Sequence, residues 1–254
     1  MMETIVAACL FLTMLVAMDV GYRIGRRRKS SDPQTSIEVI GTVDAAVFGL
    51  LGLILAFTFS GASDRLVLRR AQIVQEANAI GTAYLRIDVL AESDQPAIRE
   101  LFRSYLEKRI EVFDKFRDRA ASNAALEKAE QLQRSIWSRS VASCRTGSKP
   151  DACLLMLPAL NEMIDITTTR TMATRTHAPP VILGLLILLA FAGAMLSGYA
   201  MSRQPRRSIV HMLLFSLVVS ASVYVVLDLE YPRAGIISLQ SMDQALYQLR
   251  ETMK

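Results

Sequence analysis

The chain has 254 residues, 52% of them apolar and 21% charged, with 29 Lys and Arg against 24 Asp and Glu. A mean hydropathy of +0.29 suits a small membrane protein, and a net charge of +5 gives no basic surface for nucleic acid. Three scattered cysteines and two histidines do not make a zinc site.

Four apolar stretches, Thr4–Tyr22, Ile40–Ser60, Val181–Met201 and Ile209–Leu227, are each long enough to reach across a bilayer core of about 30 Å. They predict an all-α integral membrane protein with four transmembrane helices and a helical extramembrane bundle. The predicted organisation is a first membrane hairpin at 1–62, a helical extramembrane domain at 63–178, a second hairpin at 179–230 and an amphipathic tail at 231–254. Residues 61–180 carry 18 Lys and Arg and 15 Asp and Glu, the mixed charge of solvated helix faces.

The first stretch is followed at once by Arg23, Arg26, Arg27, Arg28 and Lys29. A basic cluster after the apolar run marks a retained span, not a signal peptide. In the second stretch Gly41, Ala45 and Gly49, and then Gly52, Ala56 and Ser60, recur every four positions. Such a face lets helices approach closely in lipid. It serves either packing within one subunit or the lining of a symmetric pore. No proline intervenes before Pro96, so the second helix is expected to run on to about Leu90. Arg65, Arg69, Gln72 and Glu76 fall on one side of that extension. Asn161, Glu162, Asp165 and Arg170 lie on a later helix expected to descend beside it; either ion pairs form between the two helices, or Arg65, Arg69 and Glu76 stand in an outer vestibule that attracts anions.

Asp94 and Pro96 read as the start of the next helix, which runs to about Ala121. Its apolar residues Ile98, Leu101, Phe102, Tyr105, Leu106, Ile110, Phe113 and Phe116 recur at three- and four-residue intervals. Asn123 is expected to cap a third helix bearing Leu126, Leu132, Ile136 and Trp137. Cys144 and Cys153 flank a loop with Gly147 and Pro150, where a disulfide can close or two separate thiols can stand. A fourth helix, about Leu154 to Arg175, should break at Pro179-Pro180. The third span again has small residues at four-residue spacing, Ala190, Ala194 and Gly198. The fourth has a polar stripe, Ser216, Ser220, Tyr224 and Asp228, which must face protein or water as packing glue or as a conduit lining. Asp19, Asp44 and His211 lie at membrane edges, as interfacial charges or as a proton relay. In the tail, Ile237, Leu239, Met242, Leu246, Leu249 and Met253 fall close to one helical face. That face needs cover from the bundle, a neighbouring subunit or the membrane interface.

Both short connectors are arginine-rich, the second through Arg203, Arg206 and Arg207. The positive-inside rule places them in the cytoplasm and the bundle outside, where a Cys144–Cys153 bridge is permitted. In a Gram-negative bacterium this is an inner-membrane protein with a periplasmic domain. No nucleophile elbow, phosphate loop or metal-hydrolase motif occurs. The expectation is a non-enzyme that needs no cofactor and no metal.

The stretches Leu51-Gly52-Leu53-Ile54-Leu55-Ala56-Phe57-Thr58-Phe59-Ser60-Gly61-Ala62 and Glu76-Ala77-Asn78-Ala79-Ile80-Gly81-Thr82-Ala83-Tyr84-Leu85-Arg86 resemble those of the bestrophin-like domain proteins of bacteria and plants. So do Leu160-Asn161-Glu162-Met163-Ile164-Asp165 and Leu227-Asp228-Leu229-Glu230-Tyr231-Pro232-Arg233-Ala234-Gly235. The resemblance covers nearly the whole chain. Bestrophins proper are pentameric anion channels with aromatic and apolar constrictions and a cytosolic soluble part. The resemblance therefore implies a homo-oligomer in the lipid bilayer that passes inorganic anions. Gly49, Gly52, Ala56, Phe57, Phe59 and Ser60 would line its pore, with Phe57 and Phe59 as the neck. The arginine pattern puts the soluble helices on the opposite side from those of bestrophins, so the name alone carries no mechanism. The other expectation is a non-catalytic envelope scaffold or sensor that binds a partner through its extramembrane helices.

Overall fold

The computed structural model describes residues 2–27, 33–146, 150–204, 207–232, 236–237 and 240–253; for residues 2, 33–41, 146, 150 and 240–242 it gives the backbone alone. Arg28, Lys29, Arg206 and the surroundings of Gly41 lie outside this description. The elements are α1 (Met2–Arg27), α2 (Pro33–Leu85), a 3-10 turn (Arg86–Val89), α3 (Gln95–Asp114), α4 (Arg119–Thr146), α5 (Pro150–Arg175), α6 (Pro180–Met201), α7 (Ile209–Glu230) and α8 (Gln240–Thr252). Among the described residues there is no strand, and four helices are long and apolar enough to cross a membrane. The fold class is all-α.

The chain divides into two compact units: Met1–Leu66 with His177–Ser238, and Val67–Thr176 with Leu239–Lys254. α2 is unbroken across the boundary of the first two segments, as its lack of proline predicts, and the 3-10 turn ends next to Leu90.

The first unit holds the four apolar spans. Met14, Met18, Leu186, Ala190, Ala194 and Val223 are buried at its centre. Lipid tails are as apolar as these side chains, so burial here gains little by transfer; close contact carries the association instead. α1 and α6 show why the small residues are needed. A Cβ on Gly198 would stand 2.0 Å from the Met18 carbonyl oxygen, one on Gly21 would stand 2.1 Å from that of Met195, and one on Gly25 would stand 2.1 Å from Ser202 Oγ. Pro180 occupies the first turn of α6, where its missing N–H costs nothing, and the break before it falls at the expected Pro179-Pro180.

The second unit is a helical bundle. Ile73, Ile80, Phe102, Tyr105, Leu106, Ile136, Met156 and Met163 are fully or almost fully buried, and each aliphatic side chain contributes about 1.5–3 kcal/mol by leaving water. α3 stops at Asp114, seven residues before the expected end, and α4 begins at Arg119, ahead of the expected cap Asn123. The reason is Asp118. Its carboxylate accepts the Ala121 N–H at 3.1 Å, satisfying an amide at the start of α4, while Ser122 Oγ donates to the Val112 carbonyl at 2.8 Å and ties the turn to α3. α5 starts at Pro150 and carries Pro158 inside it.

The amphipathic tail finds its cover on this bundle. Leu246 and Met253 of α8 and its end are buried. Arg103 Nε donates to the Met253 carbonyl at 2.6 Å and Tyr84 Oη donates to the same oxygen at 3.3 Å. Tyr247 Oη donates to Asp114 Oδ1 at 2.6 Å, a bond that pushes the phenol up to about 12 because it favours the protonated form.

Candidate functional site

α2 presents two different sides within the first unit. Phe48 and Leu51 face inward. Phe48 meets Phe215 edge-on at a centroid distance of 5.5 Å and lies against Gly193. The other side carries Ala45, Gly49, Gly52, Ala56, Phe57, Phe59 and Ser60, all exposed. Phe57 is 67% exposed and Phe59 48%, and nothing lies within 4 Å of a Cβ built on Gly49 or Gly52. Of the four membrane-crossing helices, α2 is the least covered: 11% of its most apolar stretch is buried, against 22% in the first span and 33% in the third and fourth. The pore-lining residues expected from the sequence thus form one continuous open face. By contrast, the small-residue face of the third span, Ala190, Ala194 and Gly198, is closed against α1.

The polar stripe of α7 is also turned inward. Ser216 Oγ lies 3.7 Å from Met18 Sδ and Ser220 Oγ 4.0 Å from Met14 Sδ. Asp228 is buried, and its Oδ2 accepts the N–H groups of Ile236 and Ile237 at 3.2 and 3.0 Å. Among the described residues these three groups act as packing and turn supports within one chain. Tyr224 is half-buried beside them.

Two residues beyond Asp228, Glu230 gathers the end of the first unit. It accepts Arg65 Nε and a terminal nitrogen of the same guanidinium at 2.9 and 2.7 Å, and the Ala178 N–H at 2.9 Å. His177 Nδ1 lies 3.3 Å from the same carboxylate, with its ring 4.6 Å from that of Tyr231. Arg65, read from the sequence as a vestibule cation, is therefore already partnered by a carboxylate.

In the second unit the other two vestibule residues are inside the bundle, which corrects that expectation. Arg69 is buried and donates to the carbonyls of Ala173 and Thr176 at 3.2 and 2.8 Å, capping the end of α5. Glu76 is 0% exposed. It accepts Arg109 Nε at 2.5 Å and also pairs with Arg170, whose other terminal nitrogen donates to Asp243 Oδ1 at 2.9 Å. The Arg170 guanidinium carbon lies 3.6 Å from the centroid of the Phe113 ring. Burial opposes ionisation of Glu76, but the two guanidiniums together outweigh it and hold the carboxyl below the usual range. Burial also pushes the neighbouring Tyr105 phenol up to about 12. Four charges of balanced sign thus link α2, α3, α5 and α8, because none could be buried alone. The ion-pair alternative holds for Glu76 and Arg170, whereas Asn161, Glu162 and Asp165 are exposed.

Sequence reasoning did not single out Arg109 or Asp243. The signal for Arg109 is its place between Tyr105 and Phe113 at four-residue spacing, which sets a charge on the apolar face of α3. Nor did it single out Gly21 and Gly25, a four-spaced pair whose intervening Arg23 marks a membrane edge.

Elsewhere, Cys144 and Cys153 are disulfide-bonded, their Cα atoms 5.6 Å apart. Asp19 pairs with Arg23 at 2.7 Å and with Arg207. His211 Nε2 lies 3.3 Å from Ser197 Oγ, and Asp44 Oδ1 is buried without a hydrogen-bond partner among the described residues.

No curated protein and no solved structure matches the chain. The Bestrophin-like domain matches residues 8–243, a range that includes the open face of α2, both buried charge clusters and the α1–α6 glycines. This transmembrane protein belongs to the bestrophin-like domain family.

Proposed function

We propose that the chain is one subunit of a homo-oligomeric, anion-permeable channel in the bacterial inner membrane, with the second span around its axis. The observation that carries this reading is the open face of α2, where Gly49, Gly52, Ala56, Phe57, Phe59 and Ser60 are all exposed. Repeated around an axis, small residues bring neighbouring helices close, while Phe57 and Phe59 narrow the passage. Membership of the bestrophin-like family supports conduction, and the residues at work are non-catalytic. The arginine-rich connectors favour cytoplasmic loops and a periplasmic bundle, a compartment that suits the Cys144–Cys153 bridge.

Purified protein in planar bilayers is expected to give currents whose reversal potential follows the chloride gradient. Gly52→Trp should abolish them without unfolding the chain. Silence from a folded oligomer, across voltage and pH, overturns the reading. Impermeant labelling of a cysteine placed at Glu130 should succeed from outside; labelling only after lysis reverses the orientation.

One observation favours a second reading, a non-catalytic scaffold or sensor. On the bundle, Leu154 is 73% exposed and Leu85 69%, and Leu155 and Val89 are exposed beside them, where Arg86 donates to the Leu155 carbonyl at 2.6 Å. Such a patch on a water-soluble bundle suits a protein partner. Crosslinking through residues 95–175 that traps one stable heterologous protein, with a monomer or simple dimer in detergent, supports this reading over the channel.

A further inference from the structure

A groove of about 430 Å³ runs between α1 and α7, walled by Leu15, Val16, Ile209, Met212 and Leu213 and closed at one end by the Asp19–Arg207 pair. Both walls belong to membrane-crossing helices, so what fills the groove comes from the lipid phase. Its charged end is not neutral. Asp19 bridges two guanidiniums, Arg23 of α1 and Arg207 at the start of α7. Arg26 and Arg207 both lie against the Tyr22 ring, at 5.9 and 5.1 Å from its centroid. One carboxylate therefore stands among three cations.

Arg207 is also held in place. Besides Asp19 and Tyr22 it meets Met212 Sδ through Nε at 3.3 Å. A fixed guanidinium binds a phosphate with less loss of side-chain freedom than a mobile one, and arginine matches two phosphate oxygens at once. An apolar wall ending in excess positive charge complements one class of molecule, an amphiphile with a negative head.

We propose that this groove binds one anionic glycerophospholipid per chain, its phosphate on Arg207 and Arg23 and an acyl chain along Leu15, Met212 and Leu213. The site is separate from the open face of α2, so it stands whether or not the protein conducts.

The test is native mass spectrometry of the full chain, delipidated in detergent and titrated with phosphatidylglycerol or phosphatidylcholine. One phosphatidylglycerol should bind per chain, with phosphatidylcholine at least about tenfold weaker. Arg207→Gln should weaken phosphatidylglycerol about fivefold to tenfold. Leu213→Trp, which fills the groove and leaves the ion pairs untouched, should do the same, and it decides the matter if Arg207→Gln does not fold. Arg27→Gln, a basic residue of the same membrane edge outside the groove, should bind as the wild type. Equal binding of the two lipids, unchanged binding in Leu213→Trp, or a wild-type chain that retains no lipid overturns the proposal. So does displacement of the lipid by millimolar inorganic phosphate, which would make the site a simple anion site.

Discussion

Two faces of the membrane-spanning unit carry the same pattern of small residues at four-residue spacing, yet they end in opposite environments. Gly21, Gly25 and Gly198 are pressed against backbone or a short side chain of the facing helix. Gly49 and Gly52 meet nothing within 4 Å. The pattern tells how near a neighbour can come, but not whether that neighbour belongs to the same chain. The closed face is a requirement of folding. The open one meets nothing within its own chain at Gly49 and Gly52, so folding of the single chain does not demand it.

The largest expected effect falls on the closed face. Gly198→Leu drives a side chain into the Met18 carbonyl, a backbone atom that no rotamer change can move. We expect a loss of more than about 5 kcal/mol, leaving no folded protein, read as aggregation in size-exclusion chromatography. Wild-type melting would mean that α1 and α6 can separate, and the contrast would fail.

Next comes Glu76→Gln, which asks whether charge in the bundle is structural in the same sense. It leaves Arg109 and Arg170 buried with one carboxylate between them and should cost about 3–5 kcal/mol, read by denaturant unfolding of the full chain in detergent. A change below about 1 kcal/mol would instead mean that the cluster is wet and available to ions.

A smaller effect follows from pH. The folded-state pKa of Glu76 is depressed, so its contribution is fully present above the unfolded carboxyl value of about 4.3 and is lost as pH falls through the folded value. The wild type should therefore lose stability below about pH 4, and the Glu76→Gln variant should lose less over the same range. Parallel curves would remove Glu76 from the acid response.

The smallest effect on stability belongs to the open face. Gly52→Leu improves helix propensity and meets no neighbour, so the chain should melt within about 1 kcal/mol of the wild type, while its currents or its oligomer should be lost. A large destabilisation would show that the face is already closed within one subunit.

Much of this was legible in the sequence. Hydropathy length located the four spans, the absence of proline foretold the continuous α2, and Pro179-Pro180 marked the break before α6. The end of α3 was not legible. Phe116 continues its apolar rhythm, and the Asp118 carboxylate, bonding three residues onward, starts a new helix instead. Glu76 was legible only in part. Its pairing with Arg170, 94 residues away, was one of two expectations, whereas Arg109, 33 residues away, was not foreseen. Sequence spacing reports a helix's own face well. It says nothing about which distant face arrives opposite.

The pairing of Arg170 with Asp243 across 73 residues has a consequence for biogenesis. Between them in the polypeptide lie both α6 and α7, so the ribosome delivers the guanidinium first, then a whole membrane hairpin, and only afterwards the carboxylate. The second unit stays unfinished until that hairpin has been made. A chain stalled before α8 would leave the guanidiniums of Arg109 and Arg170 sharing the single carboxylate of Glu76 and would uncover the apolar surface that Leu246 and Met253 fill, which is the kind of surface that chaperones and proteases recognise.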